Sequence, residues 1–277
     1  MAFEIAIDLT EKAASGFIKE THGGAEESRI ERGPDALASL LTCIEEGARK
    51  WGCSAQDLLR KTRSVTLRAP EIVTDTLADK SGARIGLIVS KGHEKEAYFE
   101  GHGGNQAIDS IVAKDMIVGI KEEVSDRGEL VLEPSAVEVK DRVRVLLELG
   151  SGIVAVSLKN ADLNGANEGL VKEIIESDYP RHYLGAVPVL AASDFSGERD
   201  DFLRTSVCLL NAYTWFNLDH FLRRVESFLQ KNGYNYNLLV TQADGNSVSI
   251  HGVTPLKTSA SDPIAFIKSA FGPLVSK

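Results

Sequence analysis

Phe3-Glu-Ile-Ala-Ile-Asp-Leu9 puts Phe3, Ile5, Ile7 and Leu9 on one side of an extended chain and Glu4, Ala6 and Asp8 on the other. That is the period-two pattern of a half-buried strand. Outward from it, the polar segment Thr10 to Ser15 reads as a connection, Gly16-Phe-Ile-Lys-Glu-Thr21 as a second short strand, His22-Gly-Gly24 as a turn and Ser28-Arg-Ile-Glu-Arg32 as a third strand. Gly33-Pro34 then opens a helix, with Pro34 in its first turn. Leu37, Leu40, Leu41, Ile44 and Ala48 recur at helical spacing, and Gly52 ends the helix.

Further along, a helix starts at Ser54 with Asp57 as its capping partner, Val65-Thr-Leu67 reads as a strand and Pro70 to Lys80 as a helix. Arg84-Ile-Gly-Leu-Ile-Val-Ser90 is an uninterrupted apolar run, as expected of a strand buried on both faces. Lys91 to Gln106 reads as a loop, and Val118 to Leu132 as a hairpin around Asp126-Arg-Gly128. Ser135 with Glu138 has the form of a capping box for a helix whose apolar stripe is Val139, Val143, Leu146 and Leu147. A strand (Ile153 to Leu158), a helix (Ala166 to Ser177) and a strand (Ala186 to Ala191) follow. A long helical stretch runs from Asp200 to Asn232, with a break expected near Trp215, before a last strand, Leu238-Leu-Val-Thr241. Such alternation predicts an α/β fold with a largely parallel sheet. Three strands followed by a helix is, in addition, the opening of a ribonuclease-H-like (actin-like ATPase) domain.

The 277 residues carry a formal net charge of −9, with 43% hydrophobic and 26% charged residues. That is globular composition, long enough for one or two domains. The acidic balance argues against nucleic acid as a partner, because phosphate backbones need a basic face. No run of about 20 apolar residues is present, so no membrane-spanning helix is expected. Three cysteines without CxxC spacing make no disulfide framework. With no basic-then-apolar leader at Met1, the expected location is the cytoplasm.

Chemistry-bearing residues are few. Asp8, near the end of the first strand, could hold Mg²⁺ on a phosphate chain, or simply make turn contacts. Gln242-Ala-Asp-Gly245 follows a strand, where open α/β sheets bind ligands, and is equally a good Asp-Gly turn. His93 and His102 share a loop with Glu94, Glu96 and Glu100, but the spacing fits no zinc pattern and reads as a solvated acidic loop, so no metal is expected. Gly101-His-Gly-Gly104 reads as a flexible loop rather than a phosphate cradle. Cys208 reads as an inert core thiol, and Arg204 beside Asp200 and Asp201 as a solvated ion-pair cluster. No complete catalytic constellation emerges.

Five stretches in order carry a family likeness. They are Asp75 to Gly92 (against N-A-L-L-E-R-x-G-A-x-V-G-L-I-T-T-x-G), the hairpin Glu122 to Glu133, Ala155 to Glu168 (A-V-S-L-L-x-S-Y-x-N-P-x-H-E), Arg204 to Tyr213 (R-x-x-T-T-V-x-N-A-Y) and Leu238 to Ser249 (L-x-V-M-Q-S-N-G-G-L-V-S). Together they resemble the hydantoinase A / oxoprolinase / acetone carboxylase family of ATP-dependent enzymes. The resemblance implies a ribonuclease-H-like (actin-like ATPase) N-terminal half with a mixed sheet, plus an α/β insertion and long helices. Its parts are residues 1–114 as the first part of that half, 115–195 as an α/β unit and 196–277 as a helical segment returning to the sheet.

It also puts Asp8, Thr10, Gln242, Asp244 and Gly245 forward as the positions that would face nucleotide. The family's phosphate motif I-D-x-G-G-T-x-T-D falls, however, on Ile7-Asp-Leu-Thr-Glu-Lys-Ala-Ala-Ser15, and its H-G-T-T on Arg68-Ala-Pro-Glu71. The chain stops at Phe271-Gly-Pro-Leu-Val-Ser-Lys277, where the family's second phosphate loop would begin. The resemblance therefore implies a small, epsilon-type accessory subunit of a biotin-independent ketone carboxylase. No cofactor is expected in this chain, while ATP and Mg²⁺ are expected in larger family-type partner subunits, with a homodimer as a further partner state. A free-standing ATPase or kinase using Asp8, and a non-enzymatic scaffold, are the alternatives.

Overall fold

The computed structural model describes residues 2–95, 111–179 and 187–262. In chain order the elements are β1 (Phe3–Leu9), β2 (Ala13–Glu20), β3 (Ala25–Glu31), α1 (Ala36–Lys50), α2 (Ala55–Arg60), β4 (Thr62–Arg68), α3 (Glu71–Ala78), β5 (Ile85–Ser90), β6 (Ile117–Ile120), β7 (Glu123–Val124), β8 (Leu130–Leu132), α4 (Ala136–Glu148), β9 (Ile153–Ser157), α5 (Ala166–Asp178), β10 (Val189–Ala191), α6 (Asp201–Lys231), β11 (Leu238–Thr241), β12 (Ser247–Ser249) and α7 (Pro255–Ser259). They divide into two compact units, one of Met1–Ser81 with Phe216–Ser261, the other built on Gly82–Trp215.

The first unit is organised by a six-stranded sheet in the order β12-β11-β4-β1-β2-β3. β1, β2 and β3 form an antiparallel meander, and β4 and β11 run parallel to β1. This is the ribonuclease-H-like arrangement, and the fold is of the actin-like ATPase kind with a mixed sheet, as expected. The alternation in β1 is realised residue by residue: Phe3, Ile5, Ile7 and Leu9 are buried with Val65, Leu67, Leu238 and Val240, while Glu4 and Ala6 are exposed. α1 lies against β2 and β3, with Leu40, Cys43 and Ile44 inward.

The second unit is a four-stranded, all-parallel sheet in the order β10-β9-β5-β6. Its central strands β5 and β9 are buried at every position, which is why their sequences read as unbroken apolar runs. Val139, Val143 and Leu146 of α4 and Val171 and Ile175 of α5 pack into the same core as Ile88, Val154 and Val156.

Several local expectations shift. β2 begins at Ala13 rather than Gly16, so the connection after β1 is a tight turn and not a six-residue loop. Asp35 caps α1 through its carboxylate, placing Pro34 before the helix instead of in its first turn. Ser135 stands at the α4 N-cap without a side-chain bond, and Glu138 accepts the Lys121 N–H instead, so the capping box does not close. Ile117–Ile120 is a parallel strand beside β5, leaving the hairpin to β7 and β8 alone. α6 is continuous through Trp215. The unit boundary falls at Ser81/Gly82, not at residue 114, because β5 pairs with β6 and β9 rather than with β4. None of the described helices is long and apolar enough to cross a membrane.

Candidate functional site

Because β1, β4 and β11 are parallel, the segments after Leu9, Arg68 and Thr241 lie along one edge of the first unit's sheet. All five residues singled out from the sequence are on or beside that edge, and of the five only Asp8 lines a groove on the sheet's exposed face. Asp8 sits in register with Arg68 on β4, and the Arg68 Nη1 donates to its Oδ1 at 3.2 Å, both side chains being about half exposed. The sequence reading of strand-end turn contacts is thus replaced by a cross-strand ion pair. Asp8 and Arg68 line an open groove of about 820 Å³ on the exposed face of the sheet, with Ser15, Phe17, Thr66 and Thr241. Thr10, Gln242, Asp244 and Gly245 are not in its wall.

Thr10 closes the β1–β2 turn on itself. Its N–H and its hydroxyl both donate to the Ala13 C=O, at 2.9 and 3.0 Å, and its Oγ1 accepts the Ala13 N–H at 3.2 Å. The Arg32 N–H takes the Lys12 C=O at 2.9 Å. A triphosphate cradle needs backbone N–H groups aimed at open space and a carboxylate free to hold the metal or its water. Here the donors of Thr10 and Ala13 are spent inside the turn, Glu11 adds negative charge beside it, and a guanidinium stands where a cation would meet Asp8. The residues present do not fit a magnesium–triphosphate group.

Gln242 to Asn246 form the loop between β11 and β12. The Gln242 N–H donates to the Asn246 C=O at 2.7 Å and its C=O accepts the Gly245 N–H at 3.0 Å. Gly245 has φ +86°, the left-handed region where a side chain is strained. Asp244 accepts from the Asn246 N–H and side-chain amide, which lower its pKa below the ordinary value. Gln242, Asp244, Gly245 and Asn246 hold the turn together, while the Ala243 N–H donates to the Lys257 C=O at 2.8 Å.

The second unit corrects the reading of Arg204. It is fully buried, not solvated. Its Nη2 donates to the Leu158 C=O at 2.9 Å and also to Asp201, and its Nη1 donates to the Glu198 C=O at 2.9 Å. Glu168, also fully buried, accepts the N–H groups of Leu158 and Ser193, both at 2.8 Å. Burial pushes the Glu168 pKa up, against the pull of those hydrogen bonds and of Arg204. A second buried group went unread in the sequence: Ser90 donates to Glu122, whose other oxygen accepts the Asn167 amide at 2.7 Å. Its members sit at the ends of three different elements, so no local spacing announces it. Cys208 is buried, as expected, and desolvation raises its pKa well above the ordinary value. Of the acidic loop, His102, Glu96 and Glu100 lie outside the described residues, as does Gly101–Gly104; among the described residues no group of three potential ligands gathers.

A ribonuclease-H-like unit carrying an inserted parallel α/β unit defines the class. The chain belongs to the hydantoinase/oxoprolinase family, whose N-terminal region profile matches residues 38–179. It is 26% identical over 247 residues to the acetophenone carboxylase gamma subunit of Aromatoleum aromaticum, a match covering 83% of this chain and 34% of that one. An uncharacterized protein of Methanocaldococcus jannaschii is 22% identical over 150 residues, covering 54% of this chain and 20% of the other. Among solved structures, nucleotide-free acetone carboxylase superposes with a TM-score of 0.74 at 19% identity (96% of this chain, 40% of that one). The ATP-dependent caprolactamase of Pseudomonas jessenii gives 0.76 at 14% identity (97% and 41%). The chain spans about a third of the gamma subunit and two fifths of the two solved structures.

Proposed function

We propose that this chain is an accessory, substrate-handling subunit of an ATP-dependent, biotin-independent ketone carboxylase, with the ATP chemistry in larger family-type partners. The reaction would join a ketone such as acetophenone to bicarbonate, giving a 3-oxo acid such as benzoylacetate. The match over 83% of the chain to a carboxylase gamma subunit carries the reading. The self-closed Thr10–Ala13 turn and the Asp8–Arg68 pair support placing nucleotide elsewhere in the assembly.

The test is reconstitution. Large family-type subunits co-expressed with and without this chain are assayed for ketone-dependent ATP hydrolysis. The expected result is no nucleotide binding by the isolated chain in calorimetry and a several-fold gain in turnover when it is added. No gain on addition overturns the proposal; ATP hydrolysis by the chain alone, abolished in Asp8→Asn, would favour a free-standing ATPase instead.

A further inference from the structure

We propose that the crevice beyond the carboxyl ends of β5 and β9 binds a small oxyanion, a carboxylate or a phosphate, through Lys91 and Lys159. The argument begins with topology. From β5 the chain passes to β6, its neighbour on one side; it then crosses back to β9 on the other side, and onward to β10. β5 and β9 are therefore adjacent parallel strands whose outgoing connections leave in opposite directions. The space outside the carboxyl ends of such a pair is where open α/β sheets take ligands.

A cavity of about 440 Å³ opens at that point, within the second unit and within the range of roughly 300–1,000 Å³ usual for small-molecule sites. Its floor is fixed by buried polar groups. Ser90, the last residue of β5, donates to Glu122 and accepts the Lys159 backbone N–H at 2.8 Å, while Asn167 of α5 holds the other Glu122 oxygen at 2.7 Å. Four segments are thereby pinned around one carboxylate, which makes the floor rigid.

One wall is held as firmly. Asn160 has φ +56°, and its amide donates to the Val124 C=O at 2.8 Å and to Asp126 at 3.2 Å, tying the strand end to the β7–β8 hairpin. Asn tolerates the left-handed region as a single residue, and these two bonds hold it there. Glu122 and Asp126 are thus committed to protein donors. Lys91 and Lys159, the residues just beyond the two strands, line the cavity, and among the described residues neither has a carboxylate within ion-pair distance. Of the charges that remain in the wall, the exposed Glu123 carboxylate stands against these two ammonium groups, which leaves a net positive balance for an anion to meet.

Calorimetric titration of the full chain at low ionic strength tests this, with inorganic phosphate and malonate as separate probes. The wild-type chain is compared with Lys91→Met, Lys159→Met and, as a control on β2, Lys19→Met. One saturable site for at least one probe is expected, weakened tenfold or more in each cavity variant and unchanged in the control. Saturation by phosphate alone identifies phosphate esters as the ligand class, and by malonate alone carboxylates. The proposal is overturned if neither probe saturates, or if either cavity variant binds as tightly as the wild type. None of this depends on the carboxylase reading, since the probes need no partner subunit.

Discussion

Glu168 and Arg204 hold the same residue from its two backbone ends: Glu168 accepts the Leu158 N–H and Arg204 donates to the Leu158 C=O. Leu158 follows β9, so these two buried side chains fix where the chain turns beyond the strand. They come from two of the stretches that carry the family likeness, which makes sense of both as structural parts of the second unit. Arg204→Met leaves the Leu158 carbonyl without its donor and the Asp162 carboxylate, 9% exposed and 3.5 Å from the Arg204 Nη1, without its cation, and a cost of about 3–5 kcal/mol is expected by urea unfolding. Glu168→Gln keeps an acceptor for only one of two N–H groups and is expected to cost about 1–3 kcal/mol.

The same Glu168 gives a pH dependence. Its pKa in the folded chain lies above the unfolded value of 4.5 because burial disfavours the carboxylate. The folded state therefore holds the proton more tightly, so this residue's contribution is full below pH 4.5 and is lost as pH rises through the raised value. The stability gap between wild type and Glu168→Gln should be widest at the acid end of that window and narrow above it. A gap that widens with pH would show that the two N–H donors and Arg204 outweigh desolvation.

Thiol reactivity follows burial. Cys43 and Cys208 are buried, and Cys53 is half-buried. All three pKa values are raised, Cys208 most plainly, with desolvation the leading cause in each. Titration with a chromogenic disulfide should show one slowly modified thiol in the native chain, removed by Cys53→Ser, and two more only after unfolding.

Glycines divide into those with room and those without. Gly169 lies exposed inside α5 with nothing near an added Cβ, so Gly169→Ala is expected to stabilise by about 0.5–1 kcal/mol. An added Cβ at Gly82 would overlap the Tyr213 ring. Gly82→Ala should therefore lower the unfolding midpoint, the opposite sign from the same substitution at Gly169.

How much of this the sequence discloses depends on whether the deciding contact is local. β1 is legible to the residue because one strand face is buried and the other is not, which prints the alternation of Phe3, Ile5, Ile7 and Leu9. β5 and β9 are legible because burial on both faces prints an apolar run. The start of β2 is hidden: Ala13 is fixed by the Thr10 side chain, and Ala13-Ala-Ser15 has no alternation of its own. Arg204 misleads because Asp200 and Asp201 stand at helical spacing in view, whereas the Leu158 carbonyl that buries it is 46 residues away. The Ser90–Glu122–Asn167 group is silent for the same reason, its bonds spanning 32 and 45 residues.

The Asp8–Arg68 pair gives the most direct reading on the first unit. It joins neighbouring parallel strands at 3.2 Å, with both side chains about half exposed. Solvent at such a site screens the charges, so a double-mutant cycle with Asp8→Asn and Arg68→Met should yield a coupling of only about 0.2–1 kcal/mol. The pair's weight in stability is therefore small, and its consequence is local: while Arg68 is present, a divalent cation approaching Asp8 meets a fixed positive charge at bonding distance. Arg68→Met removes that charge and leaves the Thr10–Ala13 turn closed. Calorimetry of the Arg68→Met chain with Mg²⁺ and ATP should still show no nucleotide binding, because the Thr10 and Ala13 N–H groups remain bonded within the turn and Glu11 keeps its negative charge beside it. Nucleotide binding gained by this single change would show instead that Arg68 alone keeps the edge of the sheet closed to phosphate.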